Sequence, residues 1–379
     1  MMHNDGPFGI PGEIIPCEEI SDQTLLSQTP LVSVKMITCN HEPYIAQAIE
    51  GVLQQKTDFP LELIIGEDCS TDRTREIVLE YQRKYPAIIR VLISENNVGA
   101  NKNSRRTYAA CRGKYIGYCE GDDYWHHPLK LKKQVEYLEA HLDVGLIHSD
   151  VNYYYTEKKR TKRRIFRKYK KGSLPRSGVP LVQSLIMHEY HVVTCSAVVR
   201  RILIEKIFSE CPYEFSDQFH MGDFQTWIEV ANRANFAYLP ESLATYSVLS
   251  ESASRSRDWD KIYRFTKTFF TLSLHYANKY GGNNFNRMQN IIIQNRARLL
   301  MWLAYQGRRS EWGNEALALV KGRNVKLTII NRVHFYGSKN IFLYYLVWIL
   351  LKPREIIMKA LSRIKNFYWS AIDALFAPM

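Results

Sequence analysis

From Leu31 to Cys119 the chain alternates short apolar runs with amphipathic stretches, and that alternation admits few folds. Leu31–Thr38, Leu61–Ile65, Ile88–Ile93 and Lys114–Cys119 read as strands, rich in Val, Ile and Leu. Between them Pro43 opens a helix that places Ile45, Ala48, Ile49, Val52 and Leu53 on one face. A second helix spans Arg73–Tyr85 and ends before Pro86, and a third covers Asn101–Cys111. This order predicts an α/β fold with a mixed, mostly parallel sheet flanked by helices and joined by right-handed crossovers. Open sheets of this kind bind ligands beyond the carboxyl ends of their strands. Those ends carry Thr38-Cys39-Asn40, Glu67-Asp68, Asn96-Asn97 and Glu120-Gly121-Asp122-Asp123, so polar groups are expected along one edge.

The rest of the chain is read more coarsely. Pro128–Leu142 suits a helix, Gly145–His148 a short strand, Val192–Val199 a strand, Phe224–Arg233 a helix and Phe236–Leu239 a strand. After about Asp258 the pattern is helical: Asp258–Tyr280, Phe285–Tyr305, Glu311–Lys321 and two more helices near the C-terminus. Three regions follow: an irregular leader over 1–29, an α/β domain over 30–257 and a helical extension over 258–379.

Lys and Arg total 51 against 38 Asp and Glu, a formal charge of +13 that favours anionic partners: nucleotide phosphates, nucleic acid or an anionic membrane surface. The seven cysteines form no CxxC pair and read as reduced thiols of a cytosolic protein, without zinc-ligand spacing. The acidic, proline-containing first twenty residues lack the layout of a signal peptide. The longest apolar run, Ile341–Leu351, is shorter than the ~20 residues a spanning helix needs. Beyond Pro353, residues Ile356, Ile357, Ala360, Leu361, Ile364, Phe367 and Tyr368 share a helix face, with Lys359, Arg363 and Lys365 among them. Such a face either lies on an anionic membrane surface, on the inner side of the plasma membrane, or packs against protein. The ten basic residues of Lys158–Lys171 read as a solvated loop or a contact for membrane or acceptor.

Four segments can carry chemistry. In Tyr118-Cys119-Glu120-Gly121-Asp122-Asp123-Tyr124-Trp125 three carboxylates stand within four residues at a strand end. Like charges so close repel, and a hard divalent cation such as Mn²⁺ or Mg²⁺ relieves the repulsion; the bland alternative is an acidic turn that caps the next helix. In Gly66-Glu67-Asp68-Cys69-Ser70-Thr71-Asp72 a carboxylate after an apolar strand can accept from a base or a ribose, while Ser70, Thr71 and Asp72 equally suit a turn and an N-cap. Asn96-Asn97-Val98-Gly99 permits positive φ and close backbone approach to a ligand, or is a plain turn. Asp223, where a helix begins, is either an N-cap or a general base for an acceptor hydroxyl. No GxxxxGK[ST] loop is present.

Taken in order, these segments resemble glycosyltransferase family 2, whose members have the GT-A fold. Val32–Asn40 looks like the family's first strand and nucleotide loop, Leu63–Asp72 like its second strand and acidic turn, and Asn97-Val98-Gly99 like its Asn-x-Gly segment. Glu120-Gly121-Asp122-Asp123 looks like the DXD-type metal motif, and Asp223 falls where the family keeps its base. The resemblance covers about Leu31–Ser256. It implies a nucleotide-sugar donor, UDP-linked by default, touched by Thr38, Asn40, Glu67, Asp68, Asn97, Gly99 and Asp122. It implies Mn²⁺ or Mg²⁺ held by Asp123 and Asp122 with Glu120 nearby, and Asp223 as base in an inverting transfer to a saccharide or lipid-linked acceptor, as in cell-surface polysaccharide assembly. Arg255 and Arg257, after the last catalytic strand, suit a phosphate-binding loop or an ordinary exposed one. Cys39 and Glu120 depart from the aromatic and the Asp common at their places. Two other readings compete. A nucleotidyltransferase would want a Gly-rich loop and a basic residue where Asn40-His41-Glu42 stand. A nucleic-acid binder fits the charge but leaves the acidic cluster unexplained, so no nucleic-acid partner is expected.

Overall fold

The computed structural model describes residues 15–163, 165, 180–216, 218–219, 221–252, 255–323 and 327–340. These residues fall into two compact units, one from Met1–Val182 and Tyr190–Leu249, the other from Gln183–Glu189 and Ser250–Met379.

In the first unit the apolar runs become strands because only burial on both faces satisfies them. Val32–Thr38 (β2), Leu61–Glu67 (β3), Ile89–Ile93 (β4) and Tyr115–Tyr118 (β5) pair in parallel, in the order β4-β3-β2-β5. Helices Ile45–Leu53 (α1), Thr74–Lys84 (α2) and Ala100–Ala109 (α3) connect them, within one or two residues of the expected bounds. Glu18–Ile20 (β1) adds an antiparallel edge strand to β4, so part of the expected irregular leader joins the sheet. Its anchor is ionic: Glu19 pairs with the buried Arg90, whose guanidinium also reaches Glu62 and the carbonyl of Ala110. Two of its three residues are glutamates, which hides that strand from a search for apolar runs.

The sheet continues beyond β5. Its full order is β1-β4-β3-β2-β5-β9-β7-β10-β6, with β8 on β7. The added members are Tyr124–Trp125 (β6), Val144–Tyr155 (β7), Arg160–Lys162 (β8), Val198–Arg200 (β9) and Asn235–Val248 (β10). The short strands expected at Gly145–His148 and Phe236–Leu239 are the beginnings of β7 and β10, which run parallel to each other. Polar residues and Pro240 mask their length; the register shifts around Leu239–Ala244, where a proline removes a ladder donor. The strand expected over Val192–Val199 is broken by a 3₁₀ turn at Thr194–Ser196, where the Ser196 hydroxyl donates to the Val193 carbonyl and competes with extended pairing. Lys130–Ala140 (α4), Leu181–Ile186 (α5), Arg201–Glu210 (α6) and Asp223–Ala231 (α7) complete the helices up to residue 249. The basic run starts in a turn at Lys158 and Lys159 and continues as β8; Arg164 and 166–171 lie outside the described residues.

The second unit is helical: Trp259–Tyr280 (α8), Phe285–Gly307 (α9), Ser310–Val320 (α10) and Ile329–Lys339 (α11). Asp258 caps α8, and Thr328 with Asn331 forms a capping box on α11. Leu300 and Met301 of α9 pack with Ala316 and Phe335, and Tyr263 stacks on Trp312 at 4.7 Å. No helix among the described residues is long and apolar enough to cross a membrane. The apolar run from Ile341 and the amphipathic tail lie outside the described residues.

Candidate active site

The carboxyl ends of β2, β3 and β5, with the loop after β4, meet through backbone bonds that fix their spacing. The Gly121 N–H donates to the Ile37 carbonyl (3.0 Å), and the Asp68 N–H to the Thr38 carbonyl (3.0 Å). Asn40 adopts φ 55°, a conformation Asn tolerates, and its Oδ1 accepts from the Thr71 N–H at 2.8 Å. The Ser70 hydroxyl takes the Asn40 N–H, and Asp72 takes the N–H groups of both Glu42 and Thr74. The Ser70-Thr71-Asp72 turn thus serves to clasp the loop after β2.

Glu67 and Asp68 point to different neighbours, as alternation along a strand requires. Glu67 is fully buried; one oxygen accepts the Ser70 N–H (2.7 Å) and the other meets Arg75 Nε (2.5 Å). Both its oxygens are thus engaged within the fold. Asp68 accepts from the N–H groups of Val98 (2.8 Å) and Gly99 (3.0 Å), with Arg106 3.9 Å away. It therefore ties the second and third sequence segments together. Asn97 reinforces the tie by donating to the Asp68 carbonyl at 2.8 Å. Gly99 sits at φ 86° and ψ 155°, a region open essentially only to glycine.

The acidic turn is buried to different depths. Asp123 is 3% exposed, and its Oδ1 accepts the Ser247 N–H of β10 at 2.7 Å. Burial pushes its carboxyl well up, and the charges of Asp122 and Glu120 add to this. Glu120 is half-buried, and its Oε2 is shut from solvent without a hydrogen-bond partner. Burial pushes this carboxyl up to about 7; Lys35 opposes the rise and Asp122 adds to it. Unsatisfied, mutually repelling oxygens of this sort fit a divalent cation.

Two buried lysines underlie the turn, and the sequence reading missed both. Lys35, in the middle of β2, is 4% exposed, with Nζ 4.6 Å from the Tyr108 ring centroid. Burial lowers its pKa, and Glu120 and Asp223 act against that. Lys130 lies over the Trp125 ring at 4.1 Å and donates to Gln134; burial lowers its pKa to about 7. A lysine within a strand expected to be buried on both faces was the available signal for Lys35.

Asp223 takes the first helical position of α7 and is exposed. Its Oδ1 accepts the Phe224 N–H (2.8 Å) and its Oδ2 the Thr194 hydroxyl (3.1 Å). Its charge also acts on Glu120 and on Lys35, so base candidate and acidic turn share one electrostatic field. Thr38, Asn40, Asp68, Asn97, Gly99, Glu120, Asp122, Asp123 and Asp223 all belong to the first unit, whereas Arg255 and Arg257 belong to the second. There the Arg255 N–H donates to Ser252 Oγ and the Arg257 N–H to Glu251.

Cys211, Glu214 and Glu229 also place ligand-type atoms within 4.8 Å of one another. Arg233 already pairs with Glu229 there and lies 3.6 Å from Cys211 Sγ, so a cation fills that place.

Comparison with known proteins sets this geometry in context. Residues 33–208 match the model of the family described as glycosyl transferase family 2. An uncharacterized protein of Mycobacterium tuberculosis is 41% identical over 126 residues, 33% of this chain and 36% of that protein. The chain thus spans about a third of the length of the mycobacterial relatives it matches. TuaG of Bacillus subtilis, provisionally named a teichuronic acid biosynthesis glycosyltransferase, is 27% identical over 60% of this chain and 83% of its own. Among solved structures, mannosyltransferase PcManGT from Pyrobaculum calidifontis, in complex with GDP-Man and Mn²⁺, superposes with a TM-score of 0.51 at 15% identity, covering 88% of this chain and 90% of its own. Residues 33–208, set on a largely parallel sheet of the GT-A kind, are thus the part of this chain that matches glycosyltransferase family 2.

Proposed function

We propose that the protein transfers a sugar from a nucleoside diphosphate sugar, a UDP-sugar in the first instance, to a hydroxyl of a saccharide or lipid-linked acceptor, with inversion at the anomeric carbon. The observation that carries this reading is the orphaned, buried Glu120 Oε2 beside Asp122 and Asp123, in the same field as the exposed carboxylate of Asp223.

The loop after β2 and the Asn97–Gly99 loop, joined through Asp68, form the cradle for base and ribose. Asp122, the second oxygen of Asp123 and Glu120 would hold Mn²⁺ or Mg²⁺. When bound, that ion neutralises charge on the departing diphosphate. Asp223 removes the proton of the acceptor hydroxyl, a contribution of roughly 10²–10⁴-fold in rate. Lys35 lies buried beneath the carboxylates, and its charge opposes the rise that burial imposes on Glu120. The name of TuaG supports an acceptor in cell-surface polysaccharide synthesis, and the excess of basic residues suits work on the inner face of the plasma membrane.

The test is a panel of UDP-, GDP- and dTDP-sugars with Mn²⁺ or with chelator, scored by release of nucleoside diphosphate. Asp223→Asn is expected to abolish turnover and retain nucleotide binding. Turnover at the normal rate in that variant, or full activity in chelator, would overturn the reading.

A further inference from the structure

Thr194 stands outside the segments that the family resemblance singles out, yet it contacts the proposed base. Its hydroxyl donates to Asp223 Oδ2 at 3.1 Å. The opposite oxygen is taken by the Phe224 N–H, from the second residue of α7. The Asp223 carboxylate is thereby held at two points, one on its own helix and one on the 3₁₀ turn Thr194–Ser196. Each carboxylate oxygen has a further lone pair, so neither bond prevents it from accepting a proton.

The turn that carries Thr194 is also bound to the segment that carries the acidic cluster. The Cys195 carbonyl accepts the Trp125 Nε1–H at 2.8 Å, and the Cys195 thiol is pushed up by burial and then by the charge of Asp123. The Ser196 carbonyl accepts from Gln134 Nε2 at 2.8 Å, and Gln134 in turn holds Lys130. Cys195 and Ser196 are fully buried, whereas Thr194 is half-buried and faces the exposed Asp223. Three successive residues therefore connect the group that would deprotonate the nucleophile to Trp125, at the end of the segment that carries Glu120, Asp122 and Asp123.

We propose that Thr194 is a positioning residue: through the Thr194–Ser196 turn it fixes the reach of Asp223 from the acidic cluster, and so the alignment of acceptor hydroxyl and leaving group. The proposal rests on the reading of Asp223 as base. An inverting displacement brings nucleophile and leaving group into line across one carbon, and small misplacements of a base are amplified in rate. Donor binding draws on other loops and is independent of this contact.

The test compares Thr194→Val, which keeps the shape and removes the donor, with Thr194→Ser, which keeps the donor. Release of nucleoside diphosphate from the turned-over sugar of the panel is expected to fall at least tenfold in kcat for Thr194→Val, with KM for the donor unchanged. Thr194→Ser is expected to stay within about threefold of the parent, an interval well below one hydrogen bond to a charged group. Equal losses in both variants, or normal kcat in Thr194→Val, would overturn the proposal. Asp223→Asn separates the two levels: if it turns over normally the base reading fails, and if it is dead while Thr194→Val is normal only the positioning role fails. Crystal structures of the parent and Thr194→Val give a readout that needs no substrate. The Asp223 carboxylate is expected to rotate away from the turn in the variant, and an unchanged carboxylate position would equally overturn the proposal.

Discussion

Gly121 stands so close to Thr38 that a methyl group on it would lie 2.6 Å from Thr38 Oγ1 and 2.7 Å from Thr38 Cβ. The acidic turn and the end of the first parallel strand are thus in direct contact, with His41 Nδ1 a further neighbour at 2.9 Å.

Gly121→Ala must therefore move one of these loops, because the Thr38 Cβ is fixed to a buried strand. Overpacking of this kind costs about 1–3 kcal/mol. The larger effect is expected on ligand binding. Separation of the nucleotide loop from the acidic turn should weaken UDP binding in Mn²⁺ at least tenfold by calorimetry. A variant that melts lower but binds UDP normally would show that the contact supports the fold alone.

Glu67 and Asp68 are adjacent in sequence and separable by experiment. Glu67→Gln breaks a buried bond to Arg75 and is expected to lower stability by about 2 kcal/mol, the range of hydrogen bonds to charged groups. Nucleotide affinity of the folded variant should be unchanged. Asp68→Asn puts an amide donor against the N–H of Val98 or Gly99, so the Asn97–Gly99 loop loosens. Its main expected effect is weaker nucleotide binding, with a smaller stability loss. Chemical denaturation and calorimetry on both variants decide the matter; loss of UDP affinity in Glu67→Gln at full folding would assign Glu67 to the donor site instead.

The strand ends were legible because strands buried on both faces must be written as unbroken apolar runs, and the polar residue that stops each run marks the ligand edge. The pattern could not say which of Glu67 and Asp68 faces the Asn97–Gly99 loop, since that depends on a register one residue either way. Lys35 and Lys130 escaped because a binary pattern scores lysine as surface, and their burial depends on Tyr108 and Trp125 rings that tertiary packing supplies. Thr194 escaped for the reverse reason: it sat in a stretch read as plain strand, and the Ser196 hydroxyl that breaks that strand looks ordinary in sequence. β7 and β10 were truncated because each becomes polar midway, where pairing with the other, including Tyr153 beside Tyr246 at 5.3 Å, replaces apolar alternation.

The Glu120 carboxyl sets a pH dependence with a defined sign. Burial, against the opposing charge of Lys35, raises it from an ordinary 4.5 to about 7. Between those values the folded, metal-free protein holds a proton that the unfolded chain has released. Stability contributed by this group is therefore fully present below about pH 4.5 and is lost as pH rises to about pH 7. The full loss is about 3 kcal/mol, taking ~1.4 kcal/mol per pH unit. Other carboxylates titrate in the same range, so the quantity to measure is the difference between the parent and Glu120→Gln in chelator. That difference should move in favour of Glu120→Gln as pH rises from about 5 to about 8, and level off above the raised pKa. Mn²⁺ competes with the proton for the same oxygens, so its stabilisation of the parent should be small near pH 5 and grow with pH, and should be reduced in Glu120→Gln. A gap that widened toward acid instead, with Mn²⁺ stabilising both proteins equally, would mean that Glu120 is neither buried with its neighbours nor part of the cation's shell.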